Sequence, residues 1–151
     1  MFTPKVLILG GTGMLGSMIV DVLRRNENLE ITATERIPNF NKKLYGVKWE
    51  FFNMEDEFST SVTSLMSRFQ GFHWVINAIG KTKPYTHDDN KEEIERAIWI
   101  NSYVPHQIAY ACERLKIKNI QIATDCVFSG KTGQYKETDT HDASDVYGKT
   151  K

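Results

Sequence analysis

Short, continuous apolar runs alternate along this chain with longer stretches in which apolar residues recur every three or four positions. Five of the short runs, "KVLILG", "LEITATE", "VKWEFFN", "FHWVINAIG" and "IKNIQIATD", are rich in β-branched and aromatic residues and read as successive strands. The unbroken apolar character of the first suits a strand buried on both sides, as in a parallel sheet. From Met14 onward Leu15, Met18, Ile19, Val22 and Leu23 step at helical spacing, and Arg24 and Arg25 follow where a helix C-terminus favours cations. Between the fourth and fifth strands Ile94, Ala97, Ile98, Asn101, Val104, Ile108, Cys112 and Leu115 predict one long helix, which Pro105 is expected to kink near Asn101. Strands alternating with right-handed crossovers predict an α/β fold on a doubly wound parallel sheet.

Composition narrows the ligand more than the fold. The chain has 151 residues, 40% of them hydrophobic, which is room for one domain, residues 1–151, with a core of its own. Nineteen basic residues balance nineteen acidic ones, so no net field draws the chain to nucleic acid or to a membrane surface, and a small-molecule ligand is expected. No apolar run approaches the roughly 20 residues of a membrane span. The start "MFTPKVLILGG" passes straight into the first strand without a signal peptide, so a cytoplasmic protein is expected. Cys112, Cys126 and the four histidines, His73, His87, His106 and His141, are scattered without metal-ligand spacing; neither a metal site nor a disulfide is expected.

The first candidate chemistry is the turn "GGTGMLG" between the first strand and the first helix. Gly10, Gly13 and Gly16, with Thr12, Met14 and Leu15 between them, have the spacing GxxGxxG instead of the usual GxGxxG. The demands are alike: positive φ in a tight turn, close approach of backbone to a pyrophosphate, and a helix that comes near the sheet where glycine lacks a side chain. N–H groups at the helix start then face the phosphates. Glu35, nineteen residues after Gly16 and at the end of the second strand, can accept from the adenosine ribose hydroxyls, whereas the adjacent Arg36 suits a 2′-phosphate. NAD and NADP both stay open.

With this turn, "INAIG", "ATDCVFSG" and "YGKTK" in order, the chain resembles the extended short-chain dehydrogenase/reductase family, and within it the sugar-nucleotide reductases of the dTDP-4-dehydrorhamnose reductase type. The resemblance implies that Tyr147 and Lys151 of YxxxK act with Thr124, and that Asn101 supports them. It also implies that Asn53 and Met54 meet the adenine, and that Ala78, Ile79 and Gly80 line the pyrophosphate and nicotinamide ribose. Cys126 stands where tyrosine is frequent in the rhamnose-pathway enzymes.

The expected activity is reduction of a 4-keto deoxysugar nucleotide by NADH or NADPH in polysaccharide synthesis, by a full-length protein able to form a homodimer. An epimerase or dehydratase of the same family, and a dinucleotide-binding module without catalysis, are the alternatives. Family members continue past YxxxK with further strands and a C-terminal substrate domain. The chain ends on Lys151, so a cofactor-binding portion, inactive alone and with an unpaired sheet edge, is expected.

Residue chemistry points the same way. Reducing a ketone needs a proton for the growing alkoxide, and a phenol can supply it. Tyrosine titrates near ~10, and bringing it about three units nearer neutrality requires roughly 4 kcal/mol. An ammonium about 4 Å away gives roughly that at an effective dielectric of ~20, but only about 1 kcal/mol in open water. Lys151 therefore needs partial enclosure.

Overall fold

A computed structural model describes residues 2–37 and 46–151. Its contacts group into two compact units: the chain up to Ile79 with Val104–Ile122, and Gly80–Tyr103 with Ala123–Lys151.

The first unit holds a five-stranded parallel sheet: β1 (Lys5–Leu9), β2 (Glu30–Glu35), β3 (Val47–Phe51), β4 (Trp74–Asn77) and β5 (Lys118–Gln121). Their order is β3-β2-β1-β4-β5, the doubly wound arrangement expected from the alternation of strands and crossovers. The register pairs Val6 with Ile31 and Trp74, and Ile8 with Ala33 and Ile76. Val6, Ile8, Ile31, Ala33 and Ile76 form one buried face with Val20. Helix α1 (Met14–Leu23) adds half-buried Ile19 and Leu23 to it.

Leu7, Leu9 and Val75 point to the opposite face by the two-residue period of a strand, and all three are fully buried. The crossover from β3 back to β4 runs along the sheet in the direction opposite to β1→β2, so a right-handed connection sets its helices on that face. They are α2 (Glu57–Thr60) and α3 (Val62–Phe69); α3 packs on α5 (Val104–Leu115), burying Leu65, Phe69, Ile108, Ala111 and Cys112. Burial pushes the Cys112 thiol up to about 11, as suits an inert apolar cysteine.

Two features go beyond the periodic reading. The apolar residues of α1 do not all face the core. Met14, Met18 and Val22 are 88%, 62% and 64% exposed, because Gly16 lets the helix approach the sheet along the arc of residues 16, 19, 20 and 23, and the 100° step turns the other three outward. The long helix carries no simple proline kink: residues 91–97 (α4) and α5 are α-helical, and Ile98–Tyr103 between them are π-helical. Pro105 has no N–H to offer the carbonyl four residues back, and a wider turn avoids that demand.

The second unit holds α4, the π-helical turn, a 3-10 turn at Asp125–Val127, the polar loop and the short α6 (Val146–Thr150). Among the described residues no helix is long and apolar enough to cross a membrane.

Candidate active site

Gly10 sits at φ +80° at the end of β1, where its N–H donates to the Thr34 hydroxyl at 2.9 Å. Gly11 donates to the Thr34 carbonyl at 2.9 Å, and Gly13 to the Gly10 carbonyl at 3.0 Å. Fully buried Thr34 thus holds the turn with both its side chain and its backbone. A Cβ on Gly16 would stand 2.0 Å from the Gly10 carbonyl oxygen, so only glycine permits this closeness. Gly13 caps α1 with no side-chain bond to its first N–H groups, which leaves them to a ligand.

The other expected cofactor residues lie at the ends of neighbouring strands in the same unit. Glu35 closes β2 and is 7% exposed, with its backbone carbonyl accepting from Phe52. Arg36 is exposed and has Glu55 3.9 Å away. Asn53 accepts from the Glu55 N–H at 3.1 Å, and Met54 is buried. After β4, Ala78 donates to the Leu9 carbonyl and Ile79 to the Asn77 side chain, at 3.1 Å each.

In the second unit Thr124, Asn101, Gly80, Tyr147 and Lys151 gather around α6. The Thr124 hydroxyl accepts from the Cys126 N–H at 3.3 Å, capping the 3-10 turn. That bond holds the side chain's rotamer, and the hydroxyl itself donates to the Asp125 carboxylate at 3.5 Å. Helix α6 seats on this turn through Gly148, where a Cβ would come within 2.2 Å of the Cys126 carbonyl oxygen. Its N-terminus is capped twice: Asp145 accepts from Gly148 N–H at 2.8 Å, and Asp88 from Val146 N–H at 3.0 Å. Tyr147 lies in α6 and Lys151, four residues on, is its C-cap.

Buried Asn101 donates to the Lys81 carbonyl at 2.9 Å and accepts from the Lys81 N–H at 2.8 Å, which fixes its amide orientation. A Cβ on Gly80 would lie 3.2 Å from the Lys151 nitrogen and 3.6 Å from the Asn101 carbonyl oxygen. Lys151 is half-buried, and that burial lowers its pKa from the ordinary lysine value. A chain ending at Lys151 is expected to lack the enclosure this lysine needs; the half-burial of Lys151 corrects that expectation.

Beside Thr124 an open cavity of about 460 Å³ is lined by Asp125, Cys126, Phe128, Ser129, Gln134 and Tyr135 among others. Phe128 and Tyr135 stack with centroids 4.5 Å apart.

Against known families, the model described as the RmlD substrate binding domain matches residues 4–151. The chain belongs to this family. Over 149 residues it is 31% identical to a dTDP-4-dehydrorhamnose reductase of Aggregatibacter actinomycetemcomitans, covering 97% of the chain and 44% of that protein. A dTDP-4-dehydrorhamnose reductase structure from Clostridium acetobutylicum superposes with TM-score 0.67 at 27% identity, covering 97% of the chain and 45% of its own. A UDP-glucuronic acid 4-epimerase of Bacillus cereus, solved with NAD, reaches TM-score 0.79 at 19% identity, over 97% and 48%, and bears on the fold alone. This RmlD-family chain spans somewhat under half the length of the relatives it matches.

Several residues that shape this RmlD-family site escape a reading by pattern. Thr34 was visible only as an alternating strand threonine, and Asn77, whose amide also donates to Gln121 at 2.8 Å, only as part of "INAIG". Asp88, Asp145 and Lys83 sit in polar loops, where charge has no pattern to mark it. The Lys83 ammonium is 2.6 Å from the Asp145 carboxylate and, with the Gly148 N–H, lowers its pKa from the ordinary value.

A carboxylate with a lowered folded pKa contributes stability above its unfolded pKa and loses it as pH falls through the folded one. Asp145→Ala is expected to cost about 1 kcal/mol at neutral pH as a lost cap, and Asp145→Asn less. The gap between wild type and Asp145→Asn should close as pH drops below the ordinary aspartate range, as urea denaturation at a series of pH values would show.

Proposed function

We propose that this chain is the cofactor-binding part of an NAD(P)H-dependent reductase that acts on a 4-keto deoxysugar nucleotide in polysaccharide synthesis. The observation that carries the reading is the seat of α6. One short helix presents Tyr147 and half-buried Lys151, and it rests through Gly148 on the turn that Thr124 caps. The name of the reductase that is 31% identical supports the substrate class.

A dinucleotide fits the residues present: the Gly10–Gly16 approach leaves no room for a Cβ, and the first N–H groups of α1 lack a side-chain cap. Gly10, Thr12, Gly13, Met14, Leu15 and Gly16 would hold its pyrophosphate, Glu35 and Arg36 its adenosine ribose, Asn53 and Met54 its adenine, and Ala78, Ile79 and Gly80 the nicotinamide half. When bound, it supplies the hydride.

The chain's own residues do the rest. Tyr147 donates a proton to the carbonyl oxygen as negative charge grows there. Lys151 favours the resulting phenolate by roughly 4 kcal/mol if it stands about 4 Å away at an effective dielectric of ~20. Thr124 turns its hydroxyl proton from the Asp125 carboxylate, 3.5 Å away, to the same oxygen.

Because the chain spans 44% of the reductase it resembles, it is expected to bind NADH without turnover. Trp49 reports binding, since its ring lies 3.1 Å from where a Cβ on Gly11 would be. Titration with NADH should quench its emission in wild type and not in Trp49→Phe. In the full-length polypeptide encoded by the gene, addition of a 4-keto deoxysugar nucleotide should consume NADH or NADPH. Interconversion of sugar epimers without net loss of NADH would instead make the protein an epimerase. Retention of biological activity by Tyr147→Phe would make it a binding module.

A further inference from the structure

The π-helical turn Ile98–Tyr103 places two consecutive side chains on the same residue of α6. The amide of Asn101 donates to the Thr150 hydroxyl at 3.3 Å, and the Ser102 hydroxyl donates to the Thr150 carbonyl at 2.6 Å. Thr150 in turn donates its hydroxyl to the Val146 carbonyl at 2.8 Å, with the Tyr147 carbonyl 3.1 Å away. It is buried, directly precedes Lys151 and follows Tyr147 by three residues. A five-residue helix has almost no intrinsic stability, so its rotation about its axis is set by such contacts.

Asp145 and Asp88 hold its first turn, and Gly148 seats it against the Cys126 carbonyl and the Ala143 side chain. On the last turn the Ser102 hydroxyl bonds the Thr150 carbonyl at 2.6 Å, shorter than the Asn101 bond to the Thr150 hydroxyl at 3.3 Å. A π-helical turn is a common device for aiming side chains at functional sites, and here it brings Ser102 beside Asn101.

We propose that Ser102 is a positioning residue: its bond to the Thr150 carbonyl sets the orientation of the α6 turn that carries Tyr147 and Lys151. This rests on the reading of those two residues as the proton-transfer pair. Losing the bond lets the end of α6 rotate, the ammonium leaves its enclosure beside Gly80 and Asn101, and the phenolate of Tyr147 loses its partner.

Two measurements test this. In the 151-residue chain, lysines are reductively methylated with ¹³C-formaldehyde and titrated by NMR, with Lys151→Arg assigning the Lys151 signal. Ser102→Ala should raise the Lys151 pKa by about half a unit or more toward that of an exposed lysine, while Ser102→Thr, which keeps the hydroxyl, should restore the wild-type value. In the full-length polypeptide, Ser102→Ala should lower kcat about tenfold, with both KM values within about twofold of wild type. Ser102→Thr should rescue kcat.

An unchanged Lys151 titration in Ser102→Ala overturns the proposal, and so does a change that Ser102→Thr fails to reverse. If Ser102→Ala does not fold, Ser102→Cys, which keeps the volume and weakens the donor, carries both tests. Should the wild-type full-length protein reduce no nucleotide sugar, the functional reading fails. The Lys151 titration still decides whether Ser102 positions α6.

Discussion

Gly16→Ala is expected to abolish dinucleotide binding and to destabilise the chain more than any other single-methyl addition in the glycine turn. The new Cβ would lie 2.0 Å from the Gly10 carbonyl oxygen, 2.8 Å from its carbon and 3.2 Å from the Gly11 α-carbon. All three are backbone atoms that cannot swing aside. The turn would have to open, breaking the Gly13-to-Gly10 bond and pulling Gly10 and Gly11 from Thr34. Overpacking of this kind costs about 1–3 kcal/mol and at times more.

Gly13→Ala is the control from the same fingerprint. There the φ is −71°, and a Cβ meets only the Gly10 oxygen, at 3.3 Å, so a small loss is expected. Chemical denaturation and NADH titration of both variants check this. Binding of NADH by Gly16→Ala at wild-type affinity would show that the turn does not cradle the dinucleotide.

Tyr147→Phe, in the full-length polypeptide, is expected to lower kcat/KM by about 10²–10⁴-fold, the usual contribution of a positioned acid. Binding of NADH should fall far less than kcat/KM: Tyr147 and Lys151 are also expected to contact the cofactor, but the glycine turn, Glu35, Arg36, Asn53 and Met54 lie in the other unit of the chain. Removal of the phenol oxygen also takes away the group whose ionisation Lys151 would favour, so the corresponding limb of the pH profile should vanish. Persistence of that limb in Tyr147→Phe would assign the proton to a different residue.

The local signals in the sequence carried far. The run "KVLILG" marked a strand by its continuous apolar character, and the five strands form the expected doubly wound parallel sheet. The glycine spacing located the turn, since positive φ at Gly10 and the lack of room at Gly16 both demand glycine. The YxxxK spacing falls on α6, with Tyr147 in the helix and Lys151 at its C-cap. Helical spacing did not say which arc of α1 turns inward, because Met14, Met18 and Val22 have the same hydropathy whether buried or exposed; only the approach at Gly16 chooses between the two faces. Pro105 signalled a disturbance in the long helix, but its π-helical form depends on the residues that the turn meets.

By itself, then, the amino-acid order determined the periodic elements, the sheet they build and the residue types offered to a dinucleotide, because helical and strand periods are properties of the local chain. Folding alone decided what links distant positions: Thr34 to Gly10, Lys83 to Asp145, Asn101 to Lys81, and Ser102 to Thr150 across 48 residues. Those bonds leave no periodic trace. A hydroxyl or amide becomes a clamp only when tertiary packing buries it beside a backbone group that has no other partner, and that pairing is set by the whole fold.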